Sequence, residues 1–315
     1  MIATVTLNPA VDKTLNASRI VMGQVNRMIS AKNHAGGKGI NVSKVLKQYD
    51  TESICLGFIG GYTGTMIRET VEGMGIKTSF TETTGLTRTS TNVISEDGYI
   101  TEFLEPGPEI SDKELKSFLL NYEKEIASCE LVIISGSIPL GIKNNIYAEL
   151  IKTANKMGKK VLLDSSGESL KNGMYARPFM MKPNVKELEG LAGKRLDGMQ
   201  DIALAALDIV EWGVPNVMVS MGSRGILYAY DENGEGKVLY MPAPKVKVVN
   251  TVGSGDSAVA AFALSYLKGL SKEETLRKCV SISAANTCSL ENGIIPKEKA
   301  LEFEKKLQIL PIPEN

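Results

Sequence analysis

The stretch Asn250-Thr251-Val252-Gly253-Ser254-Gly255-Asp256-Ser257 is the part of this chain best suited to chemistry. It opens a run of small residues, Ala258-Val259-Ala260-Ala261-Phe262-Ala263-Leu264, that reads as a helix. Glycines on both sides of Ser254 leave backbone N–H groups bare at the helix N-terminus. Unpaired donors and the helix dipole there both attract an anion. Asp256 is then a carboxylate beside the bound anion. It is suited to capping the helix or to taking a proton from an attacking hydroxyl. The surrounding glycines favour the second role. The same residues fit G-x-G-x-x-G/A, but the match falls late in the chain and no strand-ending acid follows about 20 residues on, so dinucleotide binding is disfavoured.

Other stretches complement this one. Ala35-Gly36-Gly37-Lys38-Gly39-Ile40-Asn41-Val42 lets the backbone approach a ligand closely, with Lys38 available to a phosphate. It is not a P-loop, because no Gly-Lys in the chain is followed by Ser or Thr. Protein-kinase signatures are absent as well. In Lys182-Pro183-Asn184-Val185-Lys186-Glu187, Pro183 keeps Lys182 extended and ends a strand. Asn184 then caps a helix and Glu187 closes a capping box. The same pair could hold the water shell of Mg²⁺ facing a nucleotide. Ser220-Met221-Gly222-Ser223-Arg224-Gly225 is a strand end running into a turn that could cover a nucleotide. Asp12, Arg27 and Arg88 remain, and Arg88 could fork a sugar phosphate.

These residues need a scaffold that brings strand ends together. Leu131–Gly136, Lys160–Asp164, Phe179–Asn184 and Asn216–Ser220 read as strands, and Asn144–Met157, the stretch from Lys186, and Asp201–Trp212 as helices. The alternation predicts a parallel sheet covered by helices on both faces. Ligands bind such sheets beyond the carboxyl ends of the strands, which gathers Ser135, Asp164, Asn184 and Ser220 at one edge. Residues 1–13 read as a first strand, and Lys245–Val249 as another before the glycine motif. Thr14–Asn33 and Arg88–Phe103 lack a helical period and predict a separate small antiparallel sheet, with Asp97-Gly98 at a hairpin tip.

Composition bounds the partners. The 315 residues carry 36 Lys+Arg against 36 Asp+Glu, a net charge of zero. That argues against a nucleic-acid backbone or a membrane surface as partner, and for a small molecule held by local charge. Four scattered cysteines and a single histidine, His34, offer no zinc site and only one possible triad base. They fit a reducing, cytoplasmic setting. No apolar run is long enough to span a membrane.

Together the motifs resemble the ribokinase-like (pfkB) family of ATP-dependent sugar kinases. The resemblance rests on Thr6-Leu7-Asn8-Pro9-Ala10-Val11-Asp12, Gly36–Val42, Ser135-Gly136-Ser137-Ile138-Pro139, Lys182-Pro183-Asn184 and Val252–Asp256. The first of these, with Gly107-Pro108-Glu109-Ile110 and Asp164-Ser165-Ser166-Gly167-Glu168, looks most like the hexose-phosphate branch, which holds 1-phosphofructokinase and tagatose-6-phosphate kinase. The resemblance implies an α/β/α sandwich spanning residues 1–315 as one domain, with a β lid from about 13–34 and 87–106. It implies Asp256 as catalytic base and Gly253, Ser254 and Gly255 as anion hole. Asp12, Gly37, Lys38, Asn41, Arg88, Ser90 and Ser137 would line the sugar phosphate. Lys182, Asn184, Ser220, Gly222, Gly225 and Thr251 would line ATP, with Asn184 and Glu187 serving Mg²⁺. A homodimer through the lid would bring Arg27 to the neighbouring subunit's sugar. A monovalent cation, K⁺, would sit after Asn250 and around residues 286–292. Ser254 stands where alanine is commoner, Ala261 where glycine is usual, and Glu102 where some relatives carry a basic residue, which argues against fructose-6-phosphate as substrate. The implied reaction is fructose-1-phosphate to fructose-1,6-bisphosphate. Tagatose-6-phosphate is the alternative substrate, and a non-catalytic sugar-phosphate sensor is the alternative of another class.

Overall fold

The computed structural model describes residues 1–313. Strand Ile2–Thr6 is buried at every position and lies at the middle of the main sheet. It pairs in parallel with Ser53–Ile59 on one side and Leu131–Ser135 on the other. Lys160–Asp164, Met180–Met181 and Asn216–Ser220 extend the sheet in parallel. Two antiparallel strands, Ile226–Glu232 and Glu235–Met241, finish that edge. Two short strands, Lys77–Thr78 and Thr81–Glu82, finish the other.

The central strands are apolar throughout because helices cover both faces. Successive side chains alternate between two cores, as the period of a strand demands. Val5, Leu56, Val132, Ile134 and Leu163 point into the core with helices Asp112–Ile126, Ile146–Lys156 and Met199–Trp212. Ile2, Leu131, Ile133, Leu162 and Met218 point into the core with helices Lys38–Gln48, Ser254–Leu267 and Lys272–Asn286. The helix Ser254–Leu267 is buried from Asp256 to Ser265 and so presents no polar face. Ala261 is fully buried in it, which explains why only a very small residue fits there.

A second sheet of four strands stands on the main body as the lid. Its outer pairs are antiparallel, as expected: Ala10–Ala17 with Ser30–Gly36, and Arg88–Ser95 with Ile100–Leu104. Its central pair is not, since Ala10–Ala17 runs parallel to Arg88–Ser95. Both central strands leave the body in the same direction, and sequence periodicity carries no record of that. The lid also reaches further down than residues 13–34, because Ala10 pairs with Gly36 at its base. The expected first strand is therefore two, broken at Leu7-Asn8-Pro9. Lys245–Val249 is irregular and joins neither sheet.

Candidate active site

The helix Ser254–Leu267 starts at the carboxyl edge of the main sheet. Its cap is Gly253, held at φ +82°, a left-handed conformation that favours glycine. The first helical hydrogen bond is Ser257 N to Gly253 O, 2.8 Å. The amides of Gly255 and Asp256 precede it and are not engaged by the helix ladder. Ser254 N turns back to Thr251 O at 3.3 Å, so Ser254 offers its amide less freely than expected.

Asp256 is the third residue of the helix and not its cap. Its carboxylate is buried, and Asn41 Nδ2 donates to its Oδ2 at 2.9 Å. Burial raises its pKa to about 6, against the pull of Lys38. A carboxylate poised near neutrality beside free backbone amides is equipped to accept a proton. Buried Lys44 sets the partner's orientation: its Nζ donates to Ala35 O at 2.5 Å and to Asn41 Oδ1 at 3.4 Å. Burial lowers the pKa of Lys44.

Two cavities meet here. One, of about 390 Å³, is lined by Asp12, Gly37, Lys38, Asn41, Arg88, Ser90 and Ser137, with Gly253, Gly255 and Asp256 at its floor. Arg88 donates through Nε and Nη2 to Asn8 O, at 3.3 and 3.2 Å, and through Nη1 to Glu105 O. Its hydrogen bonds thus go to neutral carbonyls, which leaves its charge for an anion. Burial raises the pKa of Asp12, opposed mainly by Lys44. Thr6 Oγ1 and Asn8 Oδ1 also belong to this cavity, and both are buried without a hydrogen-bond partner. Unsatisfied buried polar atoms are uncommon, and here they suit a ligand rich in hydroxyl groups.

The second cavity, of about 570 Å³, is lined by Asn184, Ser220, Gly222, Gly225 and Thr251, and by the apolar Val246, Val248, Val280 and Ala284. Gly255 lines both cavities. A flat, largely apolar slot on one side and a polar cup on the other therefore share the free amides of one helix.

Lys182 departs from its expected place, for it lines neither cavity. It is buried, with Nζ 3.2 Å from Asp164 Oδ1, and a Cβ on Gly255 would come within 3.1 Å of that Nζ. Lys38 Nζ approaches Asp164 at 3.3 Å. Burial alone would raise the Asp164 pKa; Lys182 and then Lys38 overcome it and hold the carboxyl below the usual range. The Asp164 charge in turn raises the Lys38 pKa. Two lysines share the Asp164 carboxylate beside the junction, so charge is concentrated there although the chain as a whole is neutral.

Asn184 and Glu187 form the expected capping box, each side chain accepting the other's backbone N–H at 2.9 Å. One oxygen of each is thereby engaged. Among the described residues no group of three acidic, His or Cys side chains could hold a metal. These residues fit Mg²⁺ through water and ligand phosphates, not as a direct cage. Arg27 is exposed in the loop between lid strands and lines neither cavity. Glu102 lies in a separate cleft between the lid and residues 249–252. Sequence reasoning missed Asn8 and Lys44 as site residues, and the pairing of Asp164 with both lysines; Asn286 and Asn292 fall in the stretch it marked for a monovalent cation. Asn8 alone had a signal, the Asn-Pro break after the first strand.

Fold and site are those of a phosphotransferase: two cavities joined at a helix N-terminus that carries a buried carboxylate. A profile of pfkB family carbohydrate kinases matches residues 5–299, and the chain belongs to that family. It is 36% identical to the 1-phosphofructokinase of Bacillus subtilis over 293 residues, 93% of this chain and 94% of that one. It is 33% identical to the tagatose-6-phosphate kinase of Staphylococcus epidermidis over 315 residues, 99% of this chain and all (100%) of that one. The phosphofructokinase-2 of Escherichia coli, solved in complex with potassium, superposes with a TM-score of 0.89 at 29% identity, covering 97% of this chain and 98% of that one.

Proposed function

We propose that the enzyme transfers the γ-phosphoryl group of ATP to fructose-1-phosphate at its C6 hydroxyl, giving fructose-1,6-bisphosphate. The observation that carries this reading is the junction at Gly255, where the two cavities open onto the same amides beside Asp256. The apolar slot suits an adenine base, with Ser220, Gly222, Gly225 and Thr251 around the nucleotide. The polar cup suits a phosphorylated ketohexose, with Arg88 facing its phosphate and Asp12 and Asn41 its hydroxyls. The acceptor hydroxyl then lies between Asp256 and the incoming phosphoryl group. Asp256 takes the proton as the new P–O bond forms. The free amides, Lys38 and the nearby Lys182 stabilise the charge that gathers on the phosphoryl oxygens. Mg²⁺, reached from Asn184 and Glu187 through water, would supply further positive charge to the phosphates.

The lid closes over the sugar cup by way of Asp12, Arg88 and Ser90, which excludes water from the reacting phosphoryl group. Its outer strand carries exposed Ile100, Phe103 and Leu104, an apolar surface suited to the lid of a second copy. A homodimer of that form would place Arg27 near the partner's cup. The reading takes residues 1–315 as one catalytic unit. No helix among the described residues is long and apolar enough to cross a membrane. Four free cysteines suit work in the cytoplasm.

ADP release measured with fructose-1-phosphate and with tagatose-6-phosphate tests the substrate. A higher kcat/KM for fructose-1-phosphate supports the reading. A large preference for tagatose-6-phosphate would replace it with phosphorylation at C1.

A further inference from the structure

The loop that carries the anion hole is held by asparagine side chains. Asn250 Oδ1 accepts from Val252 N at 3.0 Å, so its Nδ2 must face the other way. There it donates to Leu290 O at 3.2 Å and Asn292 Oδ1 at 2.8 Å. Asn292 Nδ2 in turn donates to Asp12 Oδ2 at 3.1 Å. Asn286, which is buried, accepts from Gly293 N at 3.1 Å and donates to Val252 O at 2.8 Å. A backbone N–H or a carboxylate fixes the direction of every amide, so the network is consistent throughout.

The family resemblance marks residues after Asn250 and around 286–292 for a monovalent cation, and the E. coli phosphofructokinase-2 has been solved in complex with potassium. The residues present do not suit one. K⁺ is held by carbonyl oxygens that replace its hydration shell. Here Val252 O and Leu290 O, from the two facing segments, already accept from amide NH₂ groups. Those NH₂ groups carry partial positive charge and would repel a cation. We propose that Asn250, Asn286 and Asn292 take the place of a monovalent cation, fixing residues 250–253 against residues 290–293 and coupling them to Asp12. The three act as positioning residues for the anion hole, and the enzyme works without K⁺.

The proposal rests on the kinase reading only for its activity arm. In the binding arm, the melting temperature of the full chain is compared in KCl and tetramethylammonium chloride at equal ionic strength. The two values should agree to within about 1 °C. Asn250→Asp turns a donor into an acceptor that faces Leu290 O and Asn292 Oδ1, so this variant should gain a rise of several degrees specific to K⁺. A K⁺-specific rise in the unsubstituted protein, or none in Asn250→Asp, overturns the proposal. In the activity arm, kcat should change less than about twofold between the two salts. Asn286→Ala should lower kcat about tenfold with little change in the sugar KM, because it loosens the hole and leaves the cup intact. Activation by K⁺ of more than about fivefold, or an unchanged kcat in Asn286→Ala, also overturns it. If no sugar phosphate is turned over in either salt, the kinase reading fails, and the melting arm still decides the cation question.

Discussion

Asn41 and Asp256 are 215 positions apart in the chain, yet Asn41 Nδ2 lies 2.9 Å from Asp256 Oδ2. The bond aligns the carboxylate from the helix Lys38–Gln48, while the helix Ser254–Leu267 presents it from its first turn. Lys44 completes the arrangement by holding the oxygen of the Asn41 amide, which turns the NH₂ toward Asp256.

Asp256→Asn keeps the size of the side chain and removes its basicity. Turnover should fall about 10³-fold or more, while sugar-phosphate binding stays within a few fold. Steady-state ADP release and calorimetric titration with the sugar measure the two effects. Near-normal turnover in the variant would refute the base assignment and reopen the sensor reading.

The raised pKa of Asp256, about 6 against an ordinary 3.8, makes a paired prediction in pH. Only the ionised form accepts a proton, so kcat/KM should rise through an apparent pKa near that value in the free enzyme. Asn41→Ala should move the limb to higher pH, since the lost hydrogen bond favoured the charged form. Stability has the opposite slope. The folded state holds the proton more tightly than the unfolded chain, so ionisation costs stability as pH climbs from about 4 to about 6. Asp256→Asn should therefore melt higher than the parent at neutral pH, by an amount worth about 1–3 kcal/mol, and the gain should shrink as the pH falls toward 4. Differential scanning fluorimetry across that range checks both signs.

Among the described residues Asp164 is the sole carboxylate within ion-pair distance of both Lys38 and Lys182. Asp164→Ala leaves Lys182 buried without its partner and should cost about 3–5 kcal/mol in urea unfolding. Asp164 has a depressed pKa, so its contribution is full above the ordinary carboxylate value and disappears as pH drops through the folded one. Near-equal stability of the variant and parent at neutral pH would show that the triad does not hold the fold together.

Phe103 is 57% exposed on the outer lid strand, beside Ile100 and Leu104. Phe103→Asp should convert a dimer to monomer in sedimentation and raise the sugar KM about tenfold if the partner's Arg27 completes the cup. A parent that already sediments as a monomer would remove the lid interface.

Much of this enzyme is readable along the chain because its signals are local. Glycine spacing before a run of small residues marks the helix start whose first amides are left free. Buried parallel strands are apolar without interruption, so Leu131–Ser135, Lys160–Asp164 and Asn216–Ser220 stand out by composition. The Asn184–Glu187 capping box is complete within four consecutive residues. Other features had no local signal. The parallel pairing of Ala10–Ala17 with Arg88–Ser95 depends on the direction in which two distant segments leave the body. The irregular path of Lys245–Val249 lets Lys245, Val246 and Val248 line a cavity instead of pairing in a sheet. Asp256 could have been a cap or a base until the helix start at Ser254 placed it third in the first turn and buried it. Lys182 reads as a nucleotide contact and proves to lie under Gly255, because Asp164 pulls it there. The asparagines at 250, 286 and 292 fall in the stretch the resemblance marked for a monovalent cation, but their hydrogen bonds join segments that meet only when the sheet assembles. Residue type and spacing determined which chemistry this chain carries. Three-dimensional packing decided which charges stay buried, which donors stay free, and which side chains tie residues 250–253 to residues 290–293.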